Sequence, residues 1–452
     1  MFQLPAWRST HDREILRLAL PAFGALVAEP VYILVDTAIV GHLGTNPLAG
    51  LAVAGIVLTA VFGIFNFLAY STTGAVARQL GAGNRRAAAE QGIAGLWLAA
   101  ALGLLLTVLV LALAPTIIDV MGASRAVARP ALTYLRISIL GAPAMLIALA
   151  GAGYLRGLQD TRTTLLIAVG SNVFNLVLEV VLIYGVGLGI EGSAWGTVIA
   201  QVGAALVFLA IVRRTAVAAG ASLAPHTARI RAAAVVGSQL VVRTASLLLA
   251  LLTATAVAAR IGDADVAAHQ IAFQIWWFFA LALDAIAIAG QAMIGRFLGA
   301  EHAHDARAAA RRMLEWGLVG GLLVGALVAA LRPVLVPIFT SDARVRHLAF
   351  EVLWIVALMQ PINAIVFVLD GILIGAGDAG YLAAAMAVAT LVVFLPLAGG
   401  VLAADGTLLM LWGALALWMV ARLAGLVARF ASTRWQVTGA VRVTPPRVRP
   451  TD

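Results

Sequence analysis

The chain has 452 residues, of which 62% are hydrophobic and only 11% charged, and its mean hydropathy is +1.01. Soluble domains carry about 25% charged residues, so the composition excludes a soluble protein. There is no cysteine, which removes disulfides, thiolate metal sites and cysteine nucleophiles. The net charge of +9 lies on arginines clustered between apolar segments rather than on one nucleic-acid-binding face.

A membrane-spanning helix needs roughly 20 mostly apolar residues. Twelve such segments follow in order: 15–41, 48–73, 93–118, 132–156, 163–187, 193–212, 233–260, 266–294, 313–338, 348–374, 381–402 and 407–430. The first is too long for the core of a cleaved signal peptide. Turn-like breaks separate them, as at "GTNP" (44–47), "GAGNRR" (81–86), "GDAD" (262–265) and "SDAR" (341–344). The ten-residue alternation of an outer-membrane barrel is missing. The fold class is therefore an all-α integral membrane protein with twelve transmembrane helices.

Arginines set the orientation. One side collects Arg8, Arg13 and Arg17, then Arg78, Arg85 and Arg86, Arg156 and Arg162, Arg213, Arg214, Arg229 and Arg231, and Arg296, Arg307, Arg311 and Arg312. The tail, read as starting with Arg422 and Arg429, adds Arg434, Arg442, Arg447 and Arg449. The other side holds Arg125, Arg129, Arg136, Arg260, Arg332, Arg344 and Arg346, and Arg243 alone falls within a span. The positive-inside rule then places both termini in the cytoplasm of a multi-pass inner-membrane protein, expected to be a monomer.

Shifting the chain by 218 residues reveals an internal repeat. "RQLGA" (78–82) lands on "RFLGA" (296–300), Pro115 on Pro333, Pro143 on Pro361, Gly153 on Gly371, Gly157 on Gly375 and Asp160 on Asp378. Each half has six spans, an even number, so both enter the membrane from the same side as a parallel pseudo-two-fold repeat. The expected lobes are 1–212 and 232–432, joined by a cytoplasmic connection at 213–231 and followed by a tail at 433–452.

Charges at membrane depth break the repeat. Asp36 pairs with Ala254, Glu29 with Leu247, Asn66 with Asp284, Ala152 with Asp370 and Ala25 with Arg243. The first half carries acids without a basic partner, whereas the second offers Arg243 to neutralise Asp284 or Asp370. Buried charge is expensive in a bilayer and marks function by default. Glu29 and Asp36 are seven residues apart on one helix face, as are Asn172, Asn175 and Glu179 at i, i+3 and i+7. These hard oxygens suit Na+ or a proton relay, and Thr197 adds a hydroxyl. Pro21 and Pro30 interrupt helix 1. Asn66, Asn172, Glu29, Asp284, Asp370 and Arg243 are candidate cavity or substrate residues. His269, Gln270 and Gln274 read as hydrogen-bonding groups, His42 as a loop residue, and Trp276, Trp277 and Phe278 as interface or packing aromatics. No phosphate-binding loop, HExxH or GxSxG motif is present, so no enzyme, cofactor or nucleotide site is expected.

The stretches "PVYILVDTAIVGHLGTNPLAGLAVA" (30–54), "YLRGLQDTR" (154–162), "NLVLEVVLIYGVGLGIEGSAWGT" (175–197) and "DGILIGAGD" (370–378) resemble the multidrug and toxic compound extrusion (MATE) family, in its DinF-like branch. The resemblance covers about residues 14–430. It implies two six-helix lobes and antiport of organic compounds, cationic or amphiphilic, against inward H+ or Na+. It further implies a cation site on Asp36, Asn175, Glu179 and Thr197, with metal ligation by these four in the Na+-coupled case. Bending of helix 1 falls on Pro21. The family pattern has Asp where this chain has Glu179, and the longer side chain inclines the expectation towards protons. The branch that couples through the second lobe carries an acid on helix 7, where this chain has Leu247. A lipid-linked oligosaccharide flippase of the same superfamily would need a strongly cationic cavity, and a non-transporting scaffold would need no intramembrane acids.

Overall fold

The computed structural model describes residues 11–441. Among them the structure is entirely helical, and twelve stretches are long and apolar enough to cross a membrane. Leucines and valines such as Leu34, Val120 and Leu358 are more than two-thirds exposed. Helices coated with apolar side chains on the outside are what a hydrocarbon solvent selects, because every backbone polar group must be satisfied internally.

The helices are α1 (Asp12–Gly41), α2 (Thr45–Ile64), α3 (Phe67–Gly81), α4 (Arg85–Val120), α5 (Arg125–Ser138), α6 (Ala142–Gly157), α7 (Thr161–Val180) and α8 (Ile190–Ala218). Then come α9 (Thr227–Ile261), α10 (Asp263–Gly299), α11 (Ala303–Phe339), α12 (Ala343–Gly375), α13 (Ala379–Val388), α14 (Leu395–Ala403) and α15 (Leu408–Ala431). Three predicted spans are interrupted. The second breaks at Phe65–Asn66, and the Asn66 carbonyl accepts from Ala69 and Tyr70 to start α3. The fourth passes through a 3-10 turn at Ile139–Gly141, and the eleventh through a π-helical turn at Ala389–Phe394. A further π turn at Val181–Gly185 ends the span begun by α7. Both Pro21 and Pro30 lie inside an unbroken α1.

Short polar residues start the helices as expected of N-caps. Asn84 accepts from Ala87 N at 2.9 Å, Asp160 from Thr163 N at 2.9 Å and Asp342 from Val345 N at 2.8 Å.

The chain forms two compact units. Among the described residues, the N-unit comprises Leu20–Val76 and Asn84–Gly237, and the C-unit comprises 11–19, Ala77–Gly83 and 238–441. The first turns of α1 therefore belong to the C-unit, where Asp12 accepts from Arg312 at 2.6 and 3.0 Å and from Trp316 at 2.8 Å. Glu14 pairs with Arg296 at 2.7 Å.

The repeat recurs contact by contact. A Cβ at Gly153 would strike the Ala69 carbonyl, and one at Gly371 would strike the carbonyl of Ala287, its equivalent 218 positions on. Gly103 sits on Pro143 as Gly321 sits on Pro361. Gly81 abuts the Arg296 carbonyl while Gly299 abuts that of Arg78, a reciprocal crossing within the C-unit. Gly299→Val is expected to force these backbones apart and cost ~1–3 kcal/mol or more by overpacking. Thermal unfolding in detergent checks this, and a melting temperature equal to wild type would contradict the crossing.

Candidate cation-coupling site

In the N-unit, α1, α7 and α8 bring their polar residues to one buried point. Asp36, Asn175, Glu179 and Ser193 are each at most 5% exposed. Ser193 Oγ donates to Asp36 Oδ1 at 3.0 Å and lies 3.4 Å from Glu179 Oε1. Tyr32 OH donates to Glu179 Oε1 at 3.1 Å and stands 3.3 Å from Thr197 Oγ1. Asn175 Nδ2 donates to Thr197 Oγ1 at 3.4 Å, and that hydroxyl donates to the Ser193 carbonyl at 3.1 Å. Tyr134 of α5, also buried, lies against Ser193 and Thr197.

Local sequence explains the convergence. Tyr32 and Asp36 are at i and i+4 on α1, Asn175 and Glu179 likewise on α7, and Ser193 and Thr197 on α8. Residues four apart stand one above the other on a helix face, so each helix contributes a two-residue edge. Gly196 lets the edges meet, since a Cβ there would lie 3.2 Å from Glu179 Cγ and 3.3 Å from Asn175 Oδ1. The π turn beginning at Val181 follows directly on the Glu179 edge, a placement typical of functional sites.

The cluster is short of positive charge. Neither Asp36 nor Glu179 forms an ion pair among the described residues. Asn175 Oδ1 and Glu179 Oε2 are buried acceptors with no hydrogen-bond partner. Ser193 has one hydroxyl proton, so it can donate to one of the two carboxylates but not to both at once. Glu179 Oε1 accepts from Tyr32 in any case. No group of three or more His, Cys, Asp or Glu that could hold a metal ion occurs among the described residues. Two carboxylates with amide and hydroxyl oxygens match a proton or a monovalent ion.

Other sequence candidates lie elsewhere. Glu29 shares the α1 face yet is exposed and makes no hydrogen bond among the described residues. Asn172 Nδ2 donates to the Ala28 carbonyl at 3.0 Å, which ties α7 to α1. Asn66 is exposed at the break between α2 and α3, and Asp284 is half-buried on α10 in the C-unit. Arg243 pairs with Asp370, at 2.5 Å. The tail assignment of Arg422 is corrected: it lies inside α15, 4% exposed, and bonds Asp370 at 2.9 Å, so Arg243 is not alone within a span. Its place near the end of an apolar segment made it look like a flanking charge. His269 hydrogen-bonds Thr255 at 3.2 Å and packs on Trp412, as a structural histidine does. His42 bonds the Ala38 carbonyl, and Gln270 and Gln274 are exposed. Tyr32, Tyr134 and Ser193 were not singled out in the sequence. Their four-residue spacing from Asp36 and Thr197 was a usable signal for Tyr32 and Ser193.

The MatE family model matches residues 21–181 and 240–398, one stretch in each repeat. The chain belongs to the MATE family. Among its relatives, Protein DETOXIFICATION 44, chloroplastic, of Arabidopsis thaliana is 34% identical over 83% of this chain and 74% of its own length. DNA damage-inducible protein F of Escherichia coli strain K12 is 30% identical over 85% of each chain. A MOP superfamily transporter from Pyrococcus furiosus superposes with a TM-score of 0.84 at 22% identity, covering 94% of this chain and 97% of the other, and so shares the fold. This MATE protein is a multi-pass transporter for efflux of multidrug or toxic small molecules, not an enzyme.

Proposed function

We propose that this MATE transporter is a secondary-active antiporter that exports organic amphiphiles, cations included, in exchange for inward H+ or Na+ by alternating access. The observation that carries the reading is the buried Asp36–Ser193–Glu179 array, with two acids, one shared hydroxyl and two unpartnered acceptors at membrane depth. An ion entering this array supplies the positive charge that the surrounding side chains do not. Asp36, Asn175, Glu179 and Thr197 hold it, with Ser193 and Tyr32 orienting the carboxylates. If the ion is Na+, all ligating atoms are hard oxygens.

Helix 1 converts ion binding into movement in this reading. Support comes from the division of the chain between its two units, which falls between Ala19 and Leu20, immediately before Pro21. A proline removes one intrahelical hydrogen bond and eases bending at that point, and Pro30 provides a second such place closer to Asp36. The lobes of the transport cycle are 1–212 and 232–432, and the protein acts as a monomer in the inner membrane with both termini cytoplasmic.

The test is reconstituted transport of a fluorescent amphiphilic cation, run separately against a pH gradient and a Na+ gradient. Export driven by one gradient supports antiport, and no response to either removes it. Glu179→Gln is expected to weaken coupling and change the pH or Na+ dependence of export, because it removes one of the two charges that the ion balances. An unaltered dependence would take Glu179 out of the site.

A further inference from the structure

An arginine in the last turns of α11 is fixed in place without being satisfied. Arg332 is half-buried, and its guanidinium carbon lies 3.6 Å from the Trp354 ring centroid and 4.1 Å from that of Phe350, both on α12. Its Nε and Nη1 are buried with no hydrogen-bond partner, and no ion pair reaches this side chain among the described residues. Buried donors without an acceptor are rare and call for a water, ion or ligand. Stacking on aromatic rings covers the flat faces of a guanidinium. It leaves the N–H groups pointing outward in the plane, in the fork that fits a phosphate. The rings therefore orient Arg332 and leave its hydrogen bonds to be made.

The level of this side chain along the helix matches lipid headgroups. α11 has 37 residues and is ~55 Å long, against a hydrocarbon core of ~30 Å. Centred on that core, it projects ~12 Å at each end, and Arg332 is ~10 Å from the terminal Phe339. Trp354 and Phe350 are exposed, and an indole at this level favours the membrane interface. Deeper in the membrane the wall is apolar: Leu358, one turn beyond Trp354, and Leu327 and Leu331 on α11 are all exposed. Towards the helix end, Arg346 stands one turn before Phe350 on the same face of α12, exposed and without an ion pair among the described residues. Nearby acids are engaged elsewhere. Asp342 caps α12 through Val345 N at 2.8 Å, and Glu351 lies 3.5 Å from His347. Two guanidiniums without a carboxylate thus sit above an apolar wall.

We propose that this patch binds an anionic phospholipid, its phosphate on Arg332 and Arg346 and an acyl chain along Leu358. A soluble anion would find the same donors but would leave the apolar wall uncovered, so the surface fits a lipid. A zwitterionic headgroup would bring its own ammonium towards Arg346, whereas an anionic one adds no positive charge. The site lies within the C-unit and needs no ion gradient, so it stands or falls apart from the coupling site of the N-unit.

The experiment uses the purified full-length protein in a non-ionic detergent. It is titrated with phosphatidylglycerol, with phosphatidylcholine of the same acyl chains, and with inorganic phosphate. Thermal shift reads binding, and native mass spectrometry counts the lipid retained. Phosphatidylglycerol is expected to bind roughly fivefold or more tighter than phosphatidylcholine, the effect of one arginine near a charged lipid surface. Inorganic phosphate is expected to give no shift. Arg332→Gln is expected to abolish the preference and Arg346→Gln to reduce it. Arg125→Gln, which removes an exposed arginine of the N-unit, is expected to leave it unchanged. Arg346 is exposed, so its variant decides the matter if Arg332→Gln fails to fold. Equal binding of the two lipids, or a shift with phosphate as large as with phosphatidylglycerol, would overturn the proposal. So would a preference untouched by Arg332→Gln or by Arg346→Gln, or one lost equally with Arg125→Gln.

Discussion

Asp36→Asn is expected to reduce ion-driven efflux to background while the protein remains folded in the membrane. Asparagine keeps the shape of the side chain, and its Oδ1 still accepts from Ser193, which bonds Asp36 at 3.0 Å. What it loses is the negative charge that, together with Glu179, calls for an ion. With one carboxylate left, binding and release of that ion no longer change the charge balance between two acids, and the gradient loses its hold on the protein. Export from proteoliposomes under an imposed gradient, measured beside thermal unfolding, separates the two effects. Undiminished export would remove Asp36 from the coupling site. Export lost together with folded protein would make Asp36 a structural residue instead.

Much of this was legible in the sequence because membrane solvent imposes blunt rules. Twenty apolar residues read as a span in any context, and the glycines and prolines at an offset of 218 mark backbone contacts that leave no room for side chains, as the matched Gly153–Ala69 and Gly371–Ala287 approaches demonstrate. The interruptions at Phe65–Asn66 and Ile139–Gly141 were hidden because two short helices have the same hydropathy as one long one. Asp36, and Asn175 with Glu179, were legible as polar faces of apolar helices and Thr197 as an added hydroxyl, the family resemblance grouped the four, and in the structure they lie around one buried point. Tyr32 and Ser193 share helix edges with Asp36 and Thr197, a spacing visible in the sequence, whereas Tyr134 is not legible, since its hydroxyl acquires a role only from neighbours distant in the chain. Glu29 shows the limit of face periodicity. Two helical turns carry it ~10 Å from Asp36, so sharing a face does not mean sharing a neighbour. Arg422 failed for the opposite reason: its position suggested a flanking charge, while the partner that holds it lies 52 residues away on α12.

The largest loss of stability is expected from Asp370→Asn. One carboxylate oxygen of Asp370 receives both guanidiniums, at 2.5 Å from Arg243 and 2.9 Å from Arg422, with the three residues between 4 and 9% exposed. Asparagine preserves the volume but leaves two arginines facing each other without the charge between them. Breaking a buried ion pair by removing one partner costs ~3–5 kcal/mol, most of it the penalty of the charge left behind. The double variant Asp370→Asn/Arg422→Gln is therefore expected to be more stable than the sum of the two single losses, by a coupling of roughly 0.5–3 kcal/mol. Melting temperatures of the four proteins in one detergent complete the cycle, and additive losses would show that the three side chains do not act as a unit. The contrast with Asp36 carries the distinction between the two halves. An acid braced by arginines holds its helices together, and its removal destabilises. An acid kept beside another acid costs stability in the absence of its ion, so Asp36→Asn is expected to match or exceed the wild-type melting temperature as its transport disappears.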